Sequence, residues 1–73
     1  MIESGQVVRA KRDIMCPGVG TIPKGSIGWI LVVKHLYDDE CEYHVTFAAV
    51  PHPTRPGNYW VLSGDSLEEL KDG

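Results

Sequence analysis

Short runs of β-branched and aromatic residues, each broken by glycine or proline, recur along the chain. No long stretch carries apolar residues at the i, i+3, i+4 spacing of an amphipathic helix, so the pattern predicts strands. Residues 6–11 alternate, with Val8 and Ala10 on one face and Arg9 and Lys11 on the other, as in a half-buried strand. Residues 27–33 give the strongest strand signal, because β-branched and aromatic side chains dominate them. Residues 42–47 alternate again, Tyr43, Val45 and Phe47 against Glu42, His44 and Thr46. A fourth strand is expected over 59–62 and a short closing strand over 67–70, separated by a turn or a single helical turn at Ser63-Gly64-Asp65-Ser66. Between the strands, 15–24 reads as a long loop punctuated by Pro17, Gly18, Gly20 and Pro23. Asp38-Asp39-Glu40 suits a solvated hairpin tip. Three prolines rule out a central strand over 51–58, and 71–73 are expected to fray.

This order predicts an all-β fold: a small five-stranded SH3-like barrel, with one short helical turn before the last strand as an option. Closing the sheet removes free edges that so short a chain could not otherwise protect. The alternative is an open, strongly twisted antiparallel sheet with one helical turn. The expected core is Val8, Ala10, Ile14, Ile22, Ile27, Ile30, Val32, Tyr43, Val45, Phe47, Val61, Leu67 and Leu70.

Size and charge narrow the function. The chain has 73 residues, 42% hydrophobic and 23% charged, an ordinary globular balance that reads as one domain over 1–73. Multi-domain enzymes and repeat arrays do not fit in this length. The formal charge of -3 hides an asymmetry. Residues 1–34 carry Arg9, Lys11, Arg12, Lys24 and Lys34 against Glu3 and Asp13, a balance of +3. Residues 35–73 carry Arg55 and Lys71 against eight carboxylates, a balance of −6. A nucleic-acid binder normally has a net basic domain with a clustered patch. The acidic half opposes a phosphate backbone, which leaves a local contact through Arg9, Lys11, Arg12 and Lys24. The first residues lack the basic and apolar regions of a secretory signal, and the apolar run 29–33 is far shorter than the roughly 20 residues of a membrane span. With only Cys16 and Cys41, these features predict a cytoplasmic protein with reduced thiols and no membrane contact.

The segment Gly5-Gln6-Val7-Val8-Arg9-Ala10-Lys11-Arg12-Asp13-Ile14, followed by Ile22-Pro23-Lys24-Gly25-Ser26-Ile27-Gly28, is similar to the start of the nitrogen-fixation Z protein family. In that family a glycine-led basic strand precedes a loop and a Gly-x-x-Gly turn. Tyr43-His44-Val45-Thr46-Phe47 and Leu67-Glu68-Glu69-Leu70 resemble in pattern the small barrel protein of photosystem I. The proline-rich 51–57 loop matches neither. The resemblance implies an SH3-like fold and an accessory component or assembly factor of a larger complex. One barrel hosts many unrelated activities, so it assigns no chemistry.

The residues themselves offer little chemistry. No nucleophile-elbow or metalloprotease signature is present, His35, His44 and His52 are scattered, and no catalytic residue or cofactor is expected. Cys41-Glu42-Tyr43-His44 has the look of half a metal site, but strand positions three apart point to opposite faces, so no metal site is expected. Asp38-Asp39-Glu40 lacks the spaced ligands of a calcium loop. Gly18-Val19-Gly20 and Gly25-Ser26-Ile27-Gly28 read as turn glycines with positive φ rather than phosphate cradles.

Trp29, Leu31 and Val33 are more informative. With Ile30 and Val32 inward, these three share the opposite face and form a partner surface. Trp60 joins them if it too points outward, with Arg55 of the proline-rich loop at the rim. The competing reading buries Trp29 under the chain's own long loops. Pro53-Thr54-Arg55-Pro56 reads as a stiff connection. The expected function is a small non-enzymatic module, monomer or weak homodimer, that docks on a larger protein. The alternatives are nucleic-acid binding through the basic first strand and a phage or mobile-element inhibitor of a host protein.

Overall fold

The computed structural model describes residues 2–70; the expected fraying of 71–73 lies outside that range. Seven strands form: β1 (Val7–Ala10), β2 (Ile14–Cys16), β3 (Gly20–Ile22), β4 (Ile27–His35), β5 (Cys41–Phe47), β6 (Tyr59–Ser63) and β7 (Leu67–Glu69). A single 3₁₀ turn, Gly64–Ser66, stands between β6 and β7, where the sequence suggests a helical turn. All five strands expected from the pattern belong to one antiparallel sheet of order β6-β5-β4-β1-β7.

The expected closed barrel is not formed. β6 and β7 end the sheet, and among the described residues no ladder joins them. Yet they are consecutive in the chain. The four steps from Ser63 to Leu67 reach about 14 Å at full extension, whereas four flat inter-strand steps span about 19 Å. The sheet therefore coils strongly, bringing its two edges toward each other at this corner without hydrogen-bonding them.

The expected long loop over 15–24 is a hairpin. β2 and β3 pair Ile14 with Ile22 and Cys16 with Gly20. Pro17 and Gly18 occupy the middle of the turn, Gly18 at φ 77°, and the Val19 N–H donates to the Cys16 carbonyl at 3.0 Å. This is the Pro-Gly arrangement of a type II turn. Each arm is only three residues long, too short for alternation to show. Ile14 and Ile22 join the core from the hairpin.

At the β4–β5 tip, Asp38 and Asp39 both take φ of 60°, which aspartate tolerates better than most residues. The Glu40 N–H donates to Tyr37 and the Leu36 N–H to Glu40. This tip sets the register that pairs His35 with Cys41.

The core consists of Val8, Ala10, Ile14, Ile22, Ile30, Tyr43, Val45, Phe47, Trp60, Leu62 and Leu67. Three residues expected inside are outside: Ile27, Val32 and Val61, at 49%, 47% and 38% exposure. Leu70 is half-buried, its N–H donating to the Val7 carbonyl. The causes are local. Gly28 faces inward against the Thr46 carbonyl and the Phe47 ring, which turns Ile27 and Trp29 outward. A β-bulge then intervenes: Ile30 pairs with Val45 but Val32 with His44, so Leu31 is an extra residue and the inward–outward alternation reverses. In β6 the inward pair is Trp60 and Leu62, because together they bury more apolar surface than Val61. The Trp60 indole N–H finds the Val50 carbonyl at 2.9 Å.

The Pro51–Asn58 connection is held by a buried histidine. His52 Nδ1 accepts the N–H groups of Thr54 (3.3 Å) and Arg55 (2.9 Å), while its ring packs against Trp60 at 4.9 Å. The stiffness expected from the prolines thus has a hydrogen-bonded cause as well.

Candidate partner-binding face

The outward side of the five-stranded sheet follows from the ladders. Val7, Trp29, Thr46 and Tyr59 lie side by side on β1, β4, β5 and β6. Arg9 and Ile27 form the next row on one side; Val32, His44 and Val61 form the next on the other. Lys34, Glu42 and Ser63 close the far end. An apolar band of Val7, Ile27, Trp29, Val32 and Val61 therefore crosses the sheet between polar margins, and every member is exposed. No second layer of the described residues covers it. Trp29, 43% exposed, stands at its centre rather than under loops.

On the β5–β6 side, His44 stacks on Tyr59 with ring centroids 4.7 Å apart and planes 13° from parallel. The Arg55 guanidinium lies 4.8 Å from the Tyr59 ring centre and also donates to the Tyr59 carbonyl at 3.2 Å. Arg55 is thus fixed beside Tyr59 at the border of the face.

Two residues expected on this face are elsewhere. Val33 follows the bulge, pairs with Tyr43 and packs against the core. Trp60 is 3% exposed and belongs to the core. Leu31, the bulge residue, is exposed at the end of the band. The sequence pattern does not reveal Val7, Ile27, Val32 and Val61 as members. Val7 is within reach of it, since it shares its parity with Arg9 in β1; the others depend on the glycine contact, the bulge and the phase of β6.

The basic residues are dispersed in their roles. Arg9 Nη2 lies 2.9 Å from Glu68 Oε2 in an exposed ion pair. Lys24 is exposed, with its backbone N–H bound to Asp13 Oδ1 at 2.7 Å, and Lys11 and Arg12 are exposed after β1. Gly25 has the positive φ expected of a turn glycine; Gly28 does not, and lies within β4. Cys41 and His44 diverge as strand geometry requires: His44 stacks on the outer face, while Cys41 contacts His35 on the other. Among the described residues no three metal-ligating side chains converge.

Tyr43 carries a shifted titration. Burial pushes its hydroxyl above the ordinary value of 10.0, helped by Cys41, through charge and a side-chain hydrogen bond, and by the charge of Glu69. The folded state holds this proton more firmly than the unfolded chain. Its contribution to stability is therefore complete below the ordinary value and is lost as pH rises through the raised one. Urea unfolding between about pH 9 and about pH 11 is expected to show stability falling less steeply in Tyr43→Phe than in the unaltered chain. Parallel slopes would contradict this.

No protein-family model, curated protein or solved structure matches the chain. No helix of the described residues is long and apolar enough to cross a membrane.

Proposed function

We propose that this chain is a small non-enzymatic accessory module that docks on a larger protein through the outer sheet face centred on Trp29. The observation that carries this reading is the uncovered apolar band of Val7, Ile27, Trp29, Val32 and Val61 with polar margins. An exposed tryptophan amid aliphatic side chains, rimmed by charge, has the composition of an interface centre. Arg55 and the His44–Tyr59 stack supply a rigid border whose side chains lose little freedom on binding. The likeness of the sequence to the nitrogen-fixation Z family and the photosystem I barrel protein supports the same role, an accessory of a larger assembly. A protein partner fits better than nucleic acid, because the charge of Arg9 is already matched by Glu68.

The test begins with proteins recovered from the native cell on the immobilised chain, followed by affinity measurement with each purified partner. Trp29→Ala is expected to weaken binding by about 2 kcal/mol or more, about 30-fold. Its urea midpoint should stay close to that of the unaltered chain, since Trp29 is half-exposed. Unchanged affinity would overturn the assignment of the face. Collapse of the fold would assign Trp29 to the protein's own stability.

A further inference from the structure

The core-facing side of the β4–β5 ladder continues past the core. Beyond the Val33–Tyr43 pair its last rung is His35 and Cys41, directly opposite each other. β1 accompanies β4 only as far as Trp29, so this arm of the hairpin overhangs β1, while β6 follows β5 as far as Glu42. Against the overhang lies an open hollow of about 790 Å³, walled by Ile2, Leu31, Val33, His35, Cys41 and Tyr43, with Glu3, Ser4, Val32 and Asp39 also on its lining. Its volume is that of a small-molecule site.

The chemistry in its wall is specific. Cys41 Sγ lies 3.4 Å from His35 Nδ1, a thiol in hydrogen-bond contact with an imidazole. That is the arrangement of a nucleophile beside a base. The other thiol, Cys16, is also half-buried but has no imidazole partner among the described residues, so the chain carries its own control.

We propose that Cys41 is a covalent-modification site for α,β-unsaturated carbonyl compounds that carry an alkyl tail. Ile2, Leu31 and Val33 give the tail an apolar wall, and an addition reaction leaves no departing group to be housed. In the step, the Cys41 sulfur forms a bond to the β-carbon of the enal. The carbon–carbon π pair moves toward the carbonyl oxygen as an enolate, and the thiol proton passes to His35 Nδ1. The imidazole then returns that proton to the α-carbon. The product is a thioether that retains its aldehyde, with no net oxidation or reduction and no co-reactant. The reacting pair lies on the opposite side of the sheet from the outer face, with Leu31 and Val32 bordering both.

The full chain is incubated with trans-2-nonenal, and the adduct at each cysteine is followed by peptide mass mapping. Cys41 is expected to react at least about 10-fold faster than Cys16, a modest share of the 10²–10⁴ that a positioned base supplies. His35→Ala should bring Cys41 to the rate of Cys16, and excess nonanol, which is unreactive, should slow Cys41 alone. Where His35→Ala fails to fold, the rate ratio and the nonanol protection on the unaltered chain decide. Cys41 reacting no faster than Cys16, a rate indifferent to His35→Ala in a folded variant, or an absence of protection by nonanol each overturns the proposal.

Discussion

Replacing Trp60 by alanine is expected to leave most of the chain unfolded in water at room temperature. The side chain is 3% exposed, sits opposite Val45 in the β5–β6 ladder and touches the His52 ring. Its indole N–H is the donor to Val50, which ties the connection after β5 to the core. Truncating a buried tryptophan costs about 3–5 kcal/mol. A core in a chain this short supplies about the same amount in total. The loss therefore reaches the whole stability rather than a fraction of it. Trp60→Phe should recover part of the burial while still losing the donor, placing its urea midpoint between the other two. A cooperative melt for Trp60→Ala within a few degrees of the unaltered chain would show that the indole is not a principal support of the core.

Gly28→Ala is expected to be nearly as damaging for a different reason. A Cβ at this position would collide with the Thr46 carbonyl oxygen and stand 2.8 Å from Phe47 Cδ1. The first neighbour is backbone of the paired strand and the second is a ring buried at 1% exposure, so neither gives way cheaply. The cost should reach about 3 kcal/mol, the upper end for overpacking a core. Gly25→Ala provides the comparison. Gly25 has φ of 88° but open space around it, so only the backbone penalty of about 1–2 kcal/mol applies. Urea midpoints should rank the unaltered chain first, Gly25→Ala second and Gly28→Ala last. Equal losses for the two variants would contradict the steric origin assigned to Gly28.

The strands of the main sheet are legible in the sequence because alternation marks β1 and β5 and because glycine and proline bracket the others. The side of each strand is legible only where polar residues label it. Residues 59–62 are aromatic or aliphatic throughout, so their parity is set by which pair fills the core; Trp60 and Leu62 win by volume. Residues 29–33 are likewise unlabelled, and nothing in their composition marks the bulge at Leu31. This is why the pattern puts Trp29 on the correct face yet exchanges Val32 and Val33. The β2–β3 hairpin is hidden by the brevity of its arms. The open edges depend on a corner three residues long, whose path no local pattern announces. The Cys41–His35 contact follows from the register set by Asp38 and Asp39, a long step from the spacing of the two residues in sequence.

The bulge in β4 also gives the chain a place where a change of length is absorbed. Leu31→Val or Leu31→Met preserves the count of residues and so the inward–outward order on both sides of the bulge. Removing Leu31 takes out the unpaired residue alone: Ile30 still meets Val45 and Val32 still meets His44, now as successive rungs, so neither side of the strand has to slide or turn over. Trp29 and Val32 keep the outer side, and Ile30, Val33 and His35 keep the inner one, opposite Val45, Tyr43 and Cys41. A single-codon deletion at Leu31 would thus straighten the strand and, like most replacements there, leave both surfaces of this protein in place.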